Sequence, residues 1–310
     1  MLKRLWKADP PLTVSGLLML PALATAAIGL IADPRFITGA PAWLKPAKFA
    51  LSIAVYAFTL AWTFTFIPGF KRTRRIVGWV TAIVMVLELG VIALQAWRGT
   101  TSHFNFSTPF NAVLFTLMGT AIVLQTVTSI AVATALWRQE FEDRALGWAL
   151  RLGMILTIIG AFSGALMTRP AADQLAAAHA GQAMPVIGAH TVGAPDGGPG
   201  IPGTGWSSEH GDLRVPHFVG LHALQVLPLV AFVLRRRRLP ADAQTRLTLT
   251  AAASYFALFA ILLAHALRGQ PVVHPDGLTM GALGGWALVT VFCAWRSVAR
   301  AVTIGAPEMI

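Results

Sequence analysis

Eight stretches of about twenty apolar residues constrain this chain more than any other feature. A helix rises 1.5 Å per residue, so about 20 apolar residues are needed to cross the ~30 Å hydrocarbon layer of a bilayer. Residues 12–32, 47–68, 76–97, 111–137, 146–168, 216–234, 247–267 and 280–299 each meet that requirement. Composition removes the soluble alternative: only 12% of residues are charged and mean hydropathy is +0.65, where an ordinary soluble domain carries about 25% charged residues. The expected fold is all-α, a polytopic bundle of eight transmembrane helices with the lipid bilayer as its first partner.

The net charge of +11 is distributed as topology requires rather than as nucleic-acid binding would. Lys3, Arg4 and Lys7, then Lys71, Arg72, Arg74 and Arg75, then Arg235 to Arg238 form short runs between apolar segments. With the N-terminus inside, 17 of the 24 Lys and Arg fall on the cytoplasmic side, as the positive-inside rule expects. The expectation is a multi-pass protein of a bacterial inner (plasma) membrane with both termini cytoplasmic and no nucleic-acid partner. The single cysteine, Cys293, excludes an internal disulfide and any multi-cysteine metal centre.

One connection is long. Residues 169–215 form an outer, periplasmic loop of about fifty residues, far beyond the usual length, so it is either a plain linker or functional. His190, Trp206, His210, Asp212 and Arg214 lie within it, and they favour a lid over the outer face. Two outer helix ends read alike, Ala96-Trp97-Arg98-Gly99 and Ala266-Leu267-Arg268-Gly269, and Pro46 and Pro216 open spans two and six in similar contexts. A parallel four-plus-four repeat is expected from these matches, with residues 1–144 as the first half and 145–310 as the second.

All eight histidines fall on the outer side or in the outer half of a span. His103, His190 and His217 are candidate metal ligands, because three imidazoles with an open fourth position make a catalytic site. The competing reading is solvated or locally bonded surface histidine. His222 and His265 lie at matching depth in spans six and seven, so they are candidate haem ligands, with Gln225 beside His222; local hydrogen bonding to backbone accounts for them equally well. Lys48 and Arg268 belong to a group of outer cations that a bound anion explains: a haem propionate, a lipid phosphate or a carboxylate. Glu88 is the one acidic residue deep in a span. With Gln95 and Arg98 on its helix it is a candidate catalytic or proton-relay group, since intramembrane carboxyls are more often functional than structural. Its expected partners are Gln95 or the polar stripe Lys48, Ser52, Tyr56, Thr59 and Thr63 of span two.

The stretches from Arg98 to Asn105 and from Asp212 to Gln225 resemble those of a bacterial family of eight-span membrane proteins, a likeness that implies topology and no activity. The four-plus-four layout with outer histidines is also similar in outline to haem A synthase, although the Glu-x-x-Arg-His motif of that family is missing. Three functions follow as expectations. The first is a redox or metal-dependent protein with a periplasm-facing site, using haem b or a divalent metal and acting with a quinone or lipid-like small molecule. The second is a proton-coupled transporter or permease using Glu88. The third is a metal-dependent enzyme acting on lipid.

Overall fold

A computed structural model of the chain describes residues 1–237 and 239–305, with side chains through Ala299. Arg238, the last of its basic run, and the side chain of Arg300 lie outside the described residues. Among the described residues the protein is all-α, with only two-residue strands, all at one end of the bundle. Seven helices among the described residues are long and apolar enough to cross a membrane, and a bent helix pair makes an eighth candidate.

A short helix α1 (Leu2–Ala8) leads into α2 (Pro10–Ala32). The N-cap Asp9 accepts from Leu12 N at 2.9 Å, and Pro10 occupies the first helical position, where a missing N–H goes unnoticed. A tight hairpin, β1 (Phe36–Ile37) and β2 (Ala40–Pro41), returns the chain to α3 (Leu44–Phe64), followed by α4 (Lys71–Trp97) and α5 (Pro109–Arg138). The second half begins with α6 (Arg144–Ser163), which tightens into a 3₁₀ turn over Gly164–Thr168. The long outer segment carries α7 (Ala172–His179) and a second small hairpin, β3 (Thr191–Val192) with β4 (Gly211–Asp212). Then come α8 (Arg214–Leu221), α9 (Ala223–Arg236), α10 (Ala241–Leu267) and α11 (Gly277–Gly305).

The sixth expected span is not one straight helix. It breaks at His222, where α8 and α9 meet at a bend of 49°. Apolar surroundings demand that the freed backbone groups find partners. Thr157 of α6 supplies them, accepting from Leu224 N at 3.1 Å and donating to Leu221 O at 3.3 Å. The Tyr255 hydroxyl of α10 donates to Val219 O at 2.5 Å. Gly160 of α6 allows α8 this close, because a side chain there would collide with the Gly220 backbone. Apolar periodicity carries no trace of such a break, which is why the sequence reads as continuous.

The largest core cluster draws on both halves, with Leu12, Leu60, Phe64 and Leu136 meeting Leu150, Met154 and Leu224. The two halves therefore share one interior. Helix α11 is different: it packs chiefly on α10 and leaves Leu288, Val289 and Val291 more than 60% exposed, a surface suited to acyl chains.

Candidate functional site beneath the outer lid

The segment after α6 is pinned across the outer end of the bundle. Ile187 N donates to Phe104 O at 3.0 Å, Phe106 N to Pro185 O at 2.8 Å, and Ala189 N to Met167 O at 2.9 Å. Phe104 holds a left-handed backbone (φ 60°), unusual for a bulky residue; its buried ring and its bonded carbonyl hold it there. Further along the segment, Lys48 of α3 donates to Thr204 O. Arg214 grips Asp212 at 2.5 Å and Gly205 O at 2.6 Å.

Beneath this cover His103 and His190 come together, with ring centroids 6.5 Å apart. His103 is ringed by Phe49, Phe104 and Phe115 at 6.0–6.1 Å, and its Nδ1 lies 3.1 Å from Ser102 Oγ. The His190 Nδ1–H donates to Asp196 at 2.5 Å, and Asp196 also accepts from the backbone N–H groups of His190 and Thr191. His217, within electrostatic reach of both rings, donates from Nδ1 to Gly160 O at 2.7 Å. All three imidazoles thus have Nδ1 engaged. Among the described residues, none has a hydrogen-bond partner on Nε2.

Burial sets the protonation of the loop histidines. It holds His103 well below the ordinary imidazole value, and the charge of Lys45 adds to that. It also lowers His190, although Asp196 works in the opposite direction. For Asp196, burial pushes up; the hydrogen bonds and charge of His190 with the backbone bond from Thr191 more than offset it and hold the carboxyl well below the usual range. Both rings are neutral near pH 7.

The three imidazoles do not form a metal centre as they stand. Among the described residues, no group of three His, Cys, Asp or Glu side chains is arranged to hold an ion. The surrounding charge disfavours one as well, since Lys45 lies within electrostatic reach of His103 and His190, and Arg214 of His190.

Glu88 is buried at 2% exposure, as expected for a group not facing lipid. Its expected partners are elsewhere, however. Gln95 donates to Asn111 Oδ1 at 3.0 Å and to Thr101 O at 3.2 Å, while Arg98 bonds both Gln95 and Asn111. Three members of the span-two stripe are engaged elsewhere too: Tyr56 accepts from Gln125, and Thr59 and Thr63 bond back to their own helix. Among the described residues, Glu88 Oε1 has no hydrogen-bond partner, with Lys45 the charge within reach. Thr81, seven residues earlier on the same face, has a buried hydroxyl in the same condition.

No family model, curated protein or solved structure matches the chain. The site therefore rests on its own chemistry.

That chemistry separates the expected haem ligands. His265 bonds Pro271 O through Nε2 at 3.1 Å and Thr279 Oγ1 through Nδ1 at 2.9 Å, so neither nitrogen is free for iron. His222 sits at the break between α8 and α9, with its ring 4.2 Å from that of Phe218. Gln225, one turn on, has a buried amide within reach of the His222 ring. Arg268 is engaged with Asp276 and Thr279. Sequence reasoning missed Asp196 as a site component, while Lys45 belongs to the same group of cations as Lys48 and Arg268. Asp196 lies in a Gly- and Pro-rich stretch that reads as linker, and its six-residue spacing from His190 was the available signal.

Proposed function

We propose that the chain is an eight-span inner-membrane protein whose lidded, periplasm-facing site binds an anionic, lipid-like or small molecule and exchanges protons with it. Glu88 is the deep proton acceptor. The observation that carries this reading is a buried carboxyl with an unpartnered oxygen, within reach of Lys45, below neutral imidazoles with free Nε2 atoms. Lys45, Lys48 and Arg214 outnumber Asp196 and Asp212 as groups able to pair with an anion, and so favour one. The imidazoles can take or give a proton at its edge.

The eight-span reading is supported by the bent pair, whose two helices together satisfy the length and apolarity of a span. The four-plus-four repeat is supported by matching neighbours. Helix α2 packs on α3 and α4, and α4 on α5; likewise α6 packs on α9 and α10, and α10 on α11.

Infrared titration of purified protein tests the proton role without knowledge of the substrate. In E88Q, a protonated-carboxyl band that responds to pH should vanish, while the thermal midpoint changes little, because a buried amide of the same shape meets the same cost of about 1–3 kcal/mol. A band retained in E88Q removes Glu88 from the function. A second reading, a divalent metal held by His103, His190 and His217, is favoured by their shared pattern of engaged Nδ1 and free Nε2, which is how ligating histidines are oriented. Elemental analysis of wild type against H190A separates the two.

A further inference from the structure

At the other end of the bundle, a cleft of about 360 Å³ opens where α1 ends and α2 and α4 begin. Its walls include Lys7, Lys71, Arg74 and Arg75, with Asp9 and Trp79. Asp9 is largely committed: it caps α2 through Leu12 N, lies 4% exposed against Gly78, and burial pushes its carboxyl up to about 6. Arg74 donates one nitrogen to Ala8 O at 2.7 Å, and its buried Nε has no partner among the described residues. Among the described residues, Lys7, Lys71 and Arg75 join no ion pair. The cleft thus gathers cations that the protein does not neutralise.

Two apolar strips lead away from it. Trp79, on the wall, continues along one face of α4 to Ile83 and Val86, which are exposed at 54%, 59% and 41%. Pro11, also on the wall, continues along α2 to Val14 and Leu18, exposed at 40% and 50%. Steps of three and four keep each strip on one helix face. Trp79 at the rim matches the preference of tryptophan for the membrane–water boundary.

We infer that this cleft binds the phosphate headgroup of an anionic diacyl phospholipid, with its acyl chains lying along the α2 and α4 strips. Free phosphate meets the cations equally well but has no use for the strips, and a zwitterionic lipid has little use for the cations. Basic pockets between helices at this level select anionic headgroups, and each Lys or Arg near the surface adds about five-fold to the affinity.

The test is the thermal midpoint of detergent-purified protein titrated with phosphatidylglycerol, with phosphatidylcholine, or with inorganic phosphate. Phosphatidylglycerol should raise the midpoint more than either alternative. K71Q and R75Q, both at exposed positions, should each weaken its half-saturation about five-fold, and K7Q/K71Q/R75Q should lose most of the shift. Native mass spectrometry supplies the control for folding: the triple variant should keep its charge-state distribution and lose the retained anionic lipid. An equal shift with phosphatidylcholine overturns the headgroup assignment. A full shift with phosphate alone overturns the lipid, and an undiminished shift in the triple variant overturns the site.

Discussion

The chain makes two of its outer turns with one device and different residues. Where α4 ends, Gln95 donates to the carbonyl six residues ahead, Thr101 O, and to Asn111, the third residue of α5. Arg98 reaches the same Asn111 at 2.8 Å, and Gly99 closes the helix with φ 73°. Where α10 ends, His265 donates to the carbonyl six residues ahead, Pro271 O, and bonds Thr279, the third residue of α11. Arg268 reaches the same Thr279 at 2.7 Å, and Gly269 closes the helix with φ 75°. The caps of the following helices correspond as well: Thr108 accepts from Asn111 N, and Asp276 from Thr279 N. Only glycine adopts such φ values without strain, and both turns use it at the same step.

The difference between the two turns is an amide in one and an imidazole in the other, and it tells against reading His265 as chemistry. A glutamine performs the same bonding 170 positions earlier, so the imidazole is a strut. Gln95, Arg98, His265 and Arg268 therefore belong to the architecture of the turns. Glu88, by contrast, has leucine at its counterpart, Leu258, and no bond that the fold requires.

The turn after α10 depends most on His265. His265 and Thr279 are each 3% exposed, so H265L should leave the Thr279 hydroxyl and the Pro271 carbonyl short of partners and cost about 3 kcal/mol. H265Q should recover most of that, because Gln95 already does the work in the other turn. Thermal unfolding in detergent reads both. If H265Q falls as far as H265L, the two turns are not equivalent and His265 regains its standing as a ligand.

Acidification gives the next largest effect, at the lid. His103 and His190 have folded values below the ordinary imidazole value, so the folded rings resist protons that the unfolded chain accepts below about pH 6.5. The unfolded state then binds more protons, and stability falls with pH in that window. Between pH 7 and 5 each ring contributes a loss of at most about 2 kcal/mol. Proteolysis within residues 193–210 should speed up over that range. D196N should be cleaved faster already at pH 7, having lost the charged acceptor of His190. Cleavage independent of pH means that the lid does not depend on these imidazoles.

The long apolar helices were legible because apolar length follows directly from the solvent such helices require. His103, His190 and His217 were legible as a group because each lies near a helix end or in the long loop, a matter of position along the chain. What escaped the sequence was pairing. Glu88 and Gln95 share a helix face, yet Gln95 turns to Asn111, sixteen residues on and across a turn. The break at His222 depends on Thr157, which lies 67 residues before its donor Leu224 N. The lid's order depends on carbonyls such as Phe104 O and Thr204 O, which carry no residue signature at all.

The smallest effect is expected at Lys48, and it separates lid from ligand. In the proposed repeat its counterpart is Phe218, so nothing in the shared architecture calls for a cation there. Its ammonium donates to Thr204 O, one of several bonds that hold the lid. A single hydrogen bond of this kind contributes about 1 kcal/mol. K48M keeps the apolar stem and removes only the charge and the donor, so its thermal midpoint should fall by little. Its anion affinity is another matter. If Lys48 belongs to the anion site, calorimetric binding of the purified protein to a short-chain acyl phosphate should weaken several-fold in K48M while the lid's protease resistance stays near wild type. If Lys48 serves the lid alone, resistance falls and affinity does not. The two outcomes are opposite in sign on two measurements, because a cation that closes a lid and a cation that holds an anion are lost in different places.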